Sequence, residues 1–397
     1  MVLIESKCKR FRASQVLLCS TSRHQQVWGT RRRRLSTAKL KRPITLPSSR
    51  PPVLVVGMTS LPSRLGGIGP ALESIAKQSR RPDRLVLSLP RLSVREGREY
   101  ELPDHVKDLM TRYPWMEVHW LQEDAGPGTK LLGAADFFQQ SIGEAIPGDM
   151  LMLLDDDHAY LPSALGELCQ IQQSLGCGYV SSFFAYYFRG LMVPQGADIV
   201  ALQLDETTLK SMIEFHRCFV KGDTACFLVD DLWTAMFYFL CGRQVRSFRD
   251  IVTQRGMETI YSRTDNASVA ALMDLDGSAR RDRAMVSAFE GLIQRLLDEP
   301  SKLSSIAGEA AVQRLHKLAT EVRQADRRIV ELNRWLQQAE SGGTHESQML
   351  RRAKQELSQL MHLYLMQKLP ESLSTADADS LADGANAGKF TDFVLRC

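Results

Sequence analysis

The sequence predicts an α/β protein: a mainly parallel sheet flanked by helices, followed by a C-terminal α-helical hairpin. Three observations predict it. Strand-like runs alternate with helical segments from residue 53 onward, and right-handed crossovers turn that alternation into a parallel sheet. The run Met150-Leu151-Met152-Leu153-Leu154 is apolar throughout, as in a strand buried on both faces. From about residue 283 the texture changes to a heptad repeat.

The elements follow in order. Pro43, Pro47, Pro51 and Pro52, with Ser48 and Ser49, mark a linker before a first strand at Val53-Leu54-Val55-Val56. A helix is expected at Ile68–Gln78, a strand at Leu85–Leu89, a helix at Val106–Arg112 and a strand at Glu117–Leu121. Leu131–Ala145 reads as a helix, the strand ending at Leu154 follows, and Leu161–Leu175 reads as a helix again. Tyr179–Phe188 reads as one long aromatic strand. Its Phe183, Phe184, Tyr186, Tyr187 and Phe188 either line a cleft or, the commoner fate of such residues, pack in the core. Leu232–Leu240 is helical. Leu315, Leu318, Val322, Ala325, Ile329, Leu332 and Leu336 then form a seam spaced alternately by three and four residues. Gly342-Gly343 interrupts it, and Leu350, Ala353, Leu357, Leu360 and Tyr364 resume it, so an antiparallel hairpin is expected, packed on the preceding domain or on a second copy of itself through residues 311–366.

Four segments result: a basic arm at 1–50, a domain at 51–282, a helical or coiled-coil region at 283–370, and a poorly ordered tail at 371–397. Residues 1–50 hold 13 Lys and Arg but one acid, Glu5, which leaves 37 basic against 45 acidic residues beyond them. That acidic body does not suit a nucleic-acid binder. The arm, with Arg31-Arg32-Arg33-Arg34 and scattered Ser and Thr, reads as an organelle transit peptide, a nuclear-localisation-like basic run, a disordered tail or a wrongly assigned start. The protein is accordingly expected either in an organelle or in the cytoplasm. No stretch approaches the roughly 18 to 20 apolar residues of a transmembrane helix. The eight cysteines include no CxxC pair, and buried free thiols are the simplest reading.

The chemistry concentrates in four islands. Asp155-Asp156-Asp157-His158 follows the apolar strand directly. Three carboxylates there repel one another unless a cation neutralises them, and oxygen ligands suit Mn²⁺ or Mg²⁺ bound together with substrate phosphates. Alternate residues point the same way, so Asp155 and Asp157 can share one ion, while Asp156 faces a ligand or structures the loop. His158 is a cap, a packing residue or a ligand. Thr59-Ser60-Leu61-Pro62-Ser63-Arg64 leaves the first strand, and Arg64 suits a base or phosphate. Asp124-Ala125-Gly126-Pro127-Gly128-Thr129-Lys130 joins a strand to a helix; Asp124 suits a ribose or base edge, or a helix-capping turn, and Lys130 suits a phosphate. Asp230-Asp231 opens an apolar helix, where one carboxylate can cap and the other act as base or orient a hydroxyl.

In this order the islands resemble the GT-A class of nucleotide-sugar glycosyltransferases, a Rossmann-like fold, and within it a family 2-like or exostosin-like group with an acidic triplet and a later Asp pair. The resemblance spans residues 53–265. It implies a DxD-type, metal-dependent transferase that moves a sugar from a UDP- or GDP-sugar to a glycan, lipid or protein acceptor. Asp155 and Asp157 would hold Mn²⁺ or Mg²⁺. Thr59, Arg64, Asp124, Lys130, Asp155 and Asp156 would form the nucleotide-sugar pocket, and Asp230 or Asp231 would face the acceptor. Arg249, Arg255, Arg263 and Arg280 are candidates for a late donor-site residue. The chain departs from the class in lacking an N-terminal membrane anchor. A sugar nucleotidyltransferase, or an inactive scaffold working through its C-terminal helices, are the alternatives.

Overall fold

The computed structural model describes residues 50–194, 199–249, 252, 259–268, 278–341 and 348–364. The expectations for the basic arm up to residue 49, for Arg255, for Gly342-Gly343 and for the tail lie outside the described residues. The elements, in chain order, are β1 (Leu54–Met58), α1 (Gly69–Ala76), β2 (Arg84–Pro90), the short pair β3 (Leu92–Ser93) and β4 (Arg98–Glu99), α2 (Asp104–Arg112), β5 (Met116–Leu121) and α3 (Thr129–Phe137). Then come β6 (Met150–Leu154), β7 (His158–Tyr160), α4 (Ala164–Leu175), β8 (Tyr179–Ser182), β9 (Ala185–Phe188), β10 (Leu191–Pro194), β11 (Ile199–Gln203), α5 (Thr208–Phe215), α6 (Asp230–Leu240), β12 (Gln244–Ser247) and β13 (Tyr261–Arg263). Four helices follow among the described residues: α7 (Ser278–Asp298), α8 (Pro300–Ala307), α9 (Glu309–Ser341) and α10 (Gln348–Tyr364).

A seven-stranded sheet in the order β12-β8-β11-β6-β1-β2-β5 forms the centre. Only β11 runs against the rest, pairing antiparallel with β6 and β8. The α/β class with a mainly parallel sheet is therefore what the alternation of elements predicts. Two departures are local. Tyr179–Phe188 is not one strand: Phe183 and Phe184 separate β8 from β9, and β9 turns back on β10 as a hairpin. The helix expected to run to Ala145 leaves α-geometry at Phe138, continues as a π-helical turn over Phe138–Ile142, and stops at Gly143 with φ +97°.

The apolar strands feed two cores. On β6, Met150, Met152 and Leu154 face α1, α2 and α4, while Leu151 and Leu153 face α3 and α6. Strand residues alternate sides with a period of two, so a strand apolar at every position belongs at the centre of a covered sheet. The C-terminal helices join the second core. Met285, Phe289, Leu292 and Leu296 of α7 and Ala311, Leu315, Leu318 and Val322 of α9 pack in the same cluster as Leu151 and Trp233. The heptad seam thus changes partner along its length. Its first half covers the sheet layer, and Leu332 and Leu336 pack instead with Ala353, Leu357 and Leu360 of α10.

The loop between β5 and α3 sits hard against the segment entering α6. Gly126 has φ +62°, and a Cβ there would lie 2.3 Å from the Phe227 carbonyl oxygen. A Cβ on Gly128 would lie 3.0 Å from the Trp233 ring. Gly126→Ala is expected to cost about 2 kcal/mol or more in urea unfolding, because neither the backbone conformation nor the contact can be kept. Unchanged stability would show that the loop does not need this approach.

Candidate metal centre

The chain winds from β1 outward to β2 and β5, then returns to lay β6 on the other side of β1. The strand order therefore reverses between β1 and β6, and open α/β sheets bind ligands in the crevice at the C-terminal ends of such strands. Three of the four islands emerge at that end of the sheet: the loop after β1, the loop after β5 and the triplet after β6.

The triplet divides by burial. Asp156 is buried, takes a hydrogen bond from the Ser60 hydroxyl, and pairs with Arg64 Nη1 at 2.9 Å. Burial pushes its carboxyl up to about 6 against the opposing pull of Arg64 and Ser60. It ties the β1 loop to the β6 loop. Arg64 also lies 3.5 Å from Asp157, and Asn266 fixes the same corner by donating to the Arg64 carbonyl at 2.9 Å. Arg64 therefore crosses from the β1 loop to the triplet.

Asp155, Asp157 and His158 bring one potential ligand atom each within 4.8 Å of one another. His158 Nδ1 stands 2.8 Å from Asp157 Oδ1. Burial would raise Asp157, but His158 and Arg64 outweigh it and hold the carboxyl below its usual range. Atoms this close could converge on one divalent cation. Two carboxylates and an imidazole could together hold a metal ion. The imidazole rests edge-on against Tyr261, ring centroids 4.2 Å apart, where β13 pairs with β7. The Tyr160 hydroxyl holds the Asp155 backbone through its N–H, 2.9 Å away.

Lys130 ties the triplet to the fourth island. Its ammonium is buried, lies 2.7 Å from Asp155 Oδ1 and 3.7 Å from Asp230 Oδ2. Burial alone would lower the Lys130 pKa, yet Asp155, Asp230 and Asp231 together raise it above the usual value. Asp231 is buried on α6 and accepts a hydrogen bond from the Tyr186 hydroxyl at 3.1 Å. The remaining residues act on the loops. Thr59 donates to the Ser88 carbonyl at 2.8 Å. Asp124 accepts from the Gly126 and Val94 backbone N–H groups, each at 2.8 Å. Arg249 stacks on Phe184, and Arg263 is exposed on β13.

Sequence reasoning missed Ser60, Tyr160, Tyr186 as an Asp231 partner, Tyr261 and Asn266. Tyr186 carried a faint signal, as a polar-tipped aromatic in a run otherwise fit for the core. Asn266 carried none, because its partner Arg64 lies 202 residues away.

Behind the β5–α3 loop lies a cavity of about 520 Å³ between α3 and α5. His119, Asp136, His216 and Trp233 line it, and His216 packs against Trp233 with centroids 5.3 Å apart. Burial, helped by Lys221, brings the His216 pKa down to about 4.

No family model matches the chain, and no curated protein matches it. Among solved structures, a 4-diphosphocytidyl-2C-methyl-D-erythritol synthase aligns at 11% identity and TM-score 0.30, covering 49% of this chain and 88% of that one. TarS of S. aureus aligns at 12% identity and TM-score 0.30, covering 68% of this chain and 53% of that one, so the chain spans about half of TarS. At this TM-score neither likeness bears on function.

Lys130→Met leaves the Asp155 and Asp230 carboxylates facing each other without their cation. It is expected to cost about 3 kcal/mol in urea unfolding at pH 7, and a loss under about 1 kcal/mol would contradict the buried bridge. His216 tests the cavity wall. Its folded pKa lies below the unfolded value, so the stability it contributes is present above about pH 6.5 and lost as pH falls toward 4. Partial exposure reduces this to about 1–2 kcal/mol. Unfolding curves from pH 7 to 4.5 should therefore be flatter in His216→Phe than in the unaltered chain; parallel curves would rule this titration out.

Proposed function

We propose that the chain is a metal-dependent glycosyltransferase of GT-A type, moving a sugar from a UDP- or GDP-sugar to a hydroxyl acceptor. The observation that carries the reading is the convergence of Asp155, Asp157 and His158 at the switch point of the sheet, with Lys130 and the Asp230-Asp231 pair beside them. In the transfer, the bond from the sugar's anomeric carbon to the diphosphate oxygen breaks and its electron pair leaves with the diphosphate. The acceptor oxygen bonds to that carbon and passes its proton to the Asp231 carboxylate or to the departing diphosphate oxygen. A divalent cation held by Asp155, Asp157 and His158 would neutralise the leaving diphosphate.

This chain's residues do the rest. Lys130 supplies a fixed positive charge beside the metal ligands. Asp231, held by Tyr186, orients the acceptor hydroxyl, and Asp230 keeps Lys130 in place. Thr59, Arg64, Asp124 and Asp156 set the shape of the two loops that flank the nucleotide. A nucleotidyltransferase would need a free basic group after β1, and Arg64 is engaged by Asp156 and Asp157 instead.

Calorimetric titration of UDP and GDP, with and without Mn²⁺, tests the reading. The chain should bind one of the two nucleotides only when Mn²⁺ is present, and Asp155→Ala/Asp157→Ala should bind neither. Equal nucleotide binding by the double variant, or none by the unaltered chain, would overturn the donor site.

A further inference from the structure

The hairpin of β9 and β10 joins the C-terminal helices to the acidic pair. Its two-residue loop is Arg189-Gly190, between the paired residues Phe188 and Leu191. Both loop residues have positive φ, 45° and 79°, the pattern of a type I′ turn. Asn, Asp or Gly suits the first position of such a turn; a long side chain there is strained. Arg189 is the single non-glycine residue with positive φ among the described residues. An outlier of this kind persists where its surroundings over-determine it.

Its surroundings are the C-terminal helices. Arg189 is buried, with Nη1 3.1 Å from Glu290 Oε1 on α7 and 4.0 Å from Asp326 Oδ2 on α9. The guanidinium also lies over the Phe289 ring, 5.5 Å from its centroid, and Phe289 meets Phe188 edge-on at 5.7 Å. Three residues before Arg189, on the same hairpin, Tyr186 donates its hydroxyl to Asp231. One end of the hairpin is thus clamped by α7 and α9, and its flank reaches the fourth island.

We propose that α7 and α9 position Asp231 through this hairpin, with Tyr186 as the positioning residue and Arg189 as the anchor. The C-terminal helices are then part of the acceptor side of the site. The catalytic meaning of this linkage rests on the transferase reading above; the linkage itself does not.

The test uses the full chain and Tyr186→Phe, Arg189→Asn and Arg189→Lys. Asparagine suits the turn, so Arg189→Asn should fold while losing the clamp. Two readouts separate the claims. Hydrogen exchange should show faster exchange of the amides of residues 232–234 in Arg189→Asn, with Arg189→Lys restoring part of the protection. Release of nucleoside diphosphate from UDP-glucose, UDP-N-acetylglucosamine or GDP-mannose should show kcat reduced about tenfold in Tyr186→Phe and Arg189→Asn, the loss of one hydrogen bond to a charged group. KM for the donor and Mn²⁺-dependent UDP or GDP binding should stay unchanged. If no donor is turned over and no nucleotide binds, the transferase reading falls while the exchange data still decide the linkage. Unchanged exchange in Arg189→Asn, or unaltered kcat in Tyr186→Phe where Asp231→Asn lowers it, would overturn the proposal.

Discussion

The buried ammonium of Lys130 is the interaction on which the rest of the site depends. Asp155 and Asp230 arise from distant parts of the chain and would repel each other in a low-dielectric crevice. Lys130 lies between them, 2.7 and 3.7 Å away, and turns that repulsion into a cross-link. Such a bridge requires the β5–α3 loop to press onto the segment entering α6, and Gly126 and Gly128 permit it where a side chain would collide. Local backbone chemistry, a buried charge and the meeting of two islands are therefore one constraint.

A second division of labour follows from burial. The triplet holds three carboxylates, and only two are placed for a cation. Asp156 is turned inward, where Ser60 and Arg64 satisfy it and bind the β1 loop to the β6 loop. With the loop so held, Asp155 and Asp157 are presented outward beside His158. Charge that would otherwise unfold the corner becomes its fastening, while the remaining pair keeps lone pairs for a ligand.

Much of this is legible in the chain. A run of five apolar residues ending in three acids locates both the central strand and the candidate site, since hydrophobic patterning and acidic clustering are local properties. Alternation of strands and helices likewise gives the sheet without any knowledge of contacts. Pairings across long separations are what the chain conceals. Nothing local distinguishes Asn266 from a surface turn residue, or tells that Arg189 is buried on helices a hundred residues later. Lys130 and Arg64 hide their partners in the same way: the chain shows a cation at a ligand crevice but not the carboxylates that it pairs with. The heptad seam does not show where its partner changes, since one pattern serves the sheet layer in its first half and α10 in its second.

The most direct measurement is anomalous diffraction at the manganese absorption edge from crystals of the protein grown with Mn²⁺. The account predicts a peak bounded by Asp155, Asp157 and His158, with Lys130 still bridging Asp155 and Asp230. Crystals that hold Mn²⁺ elsewhere and show no peak among those three side chains would contradict the metal centre, and with it the transferase reading.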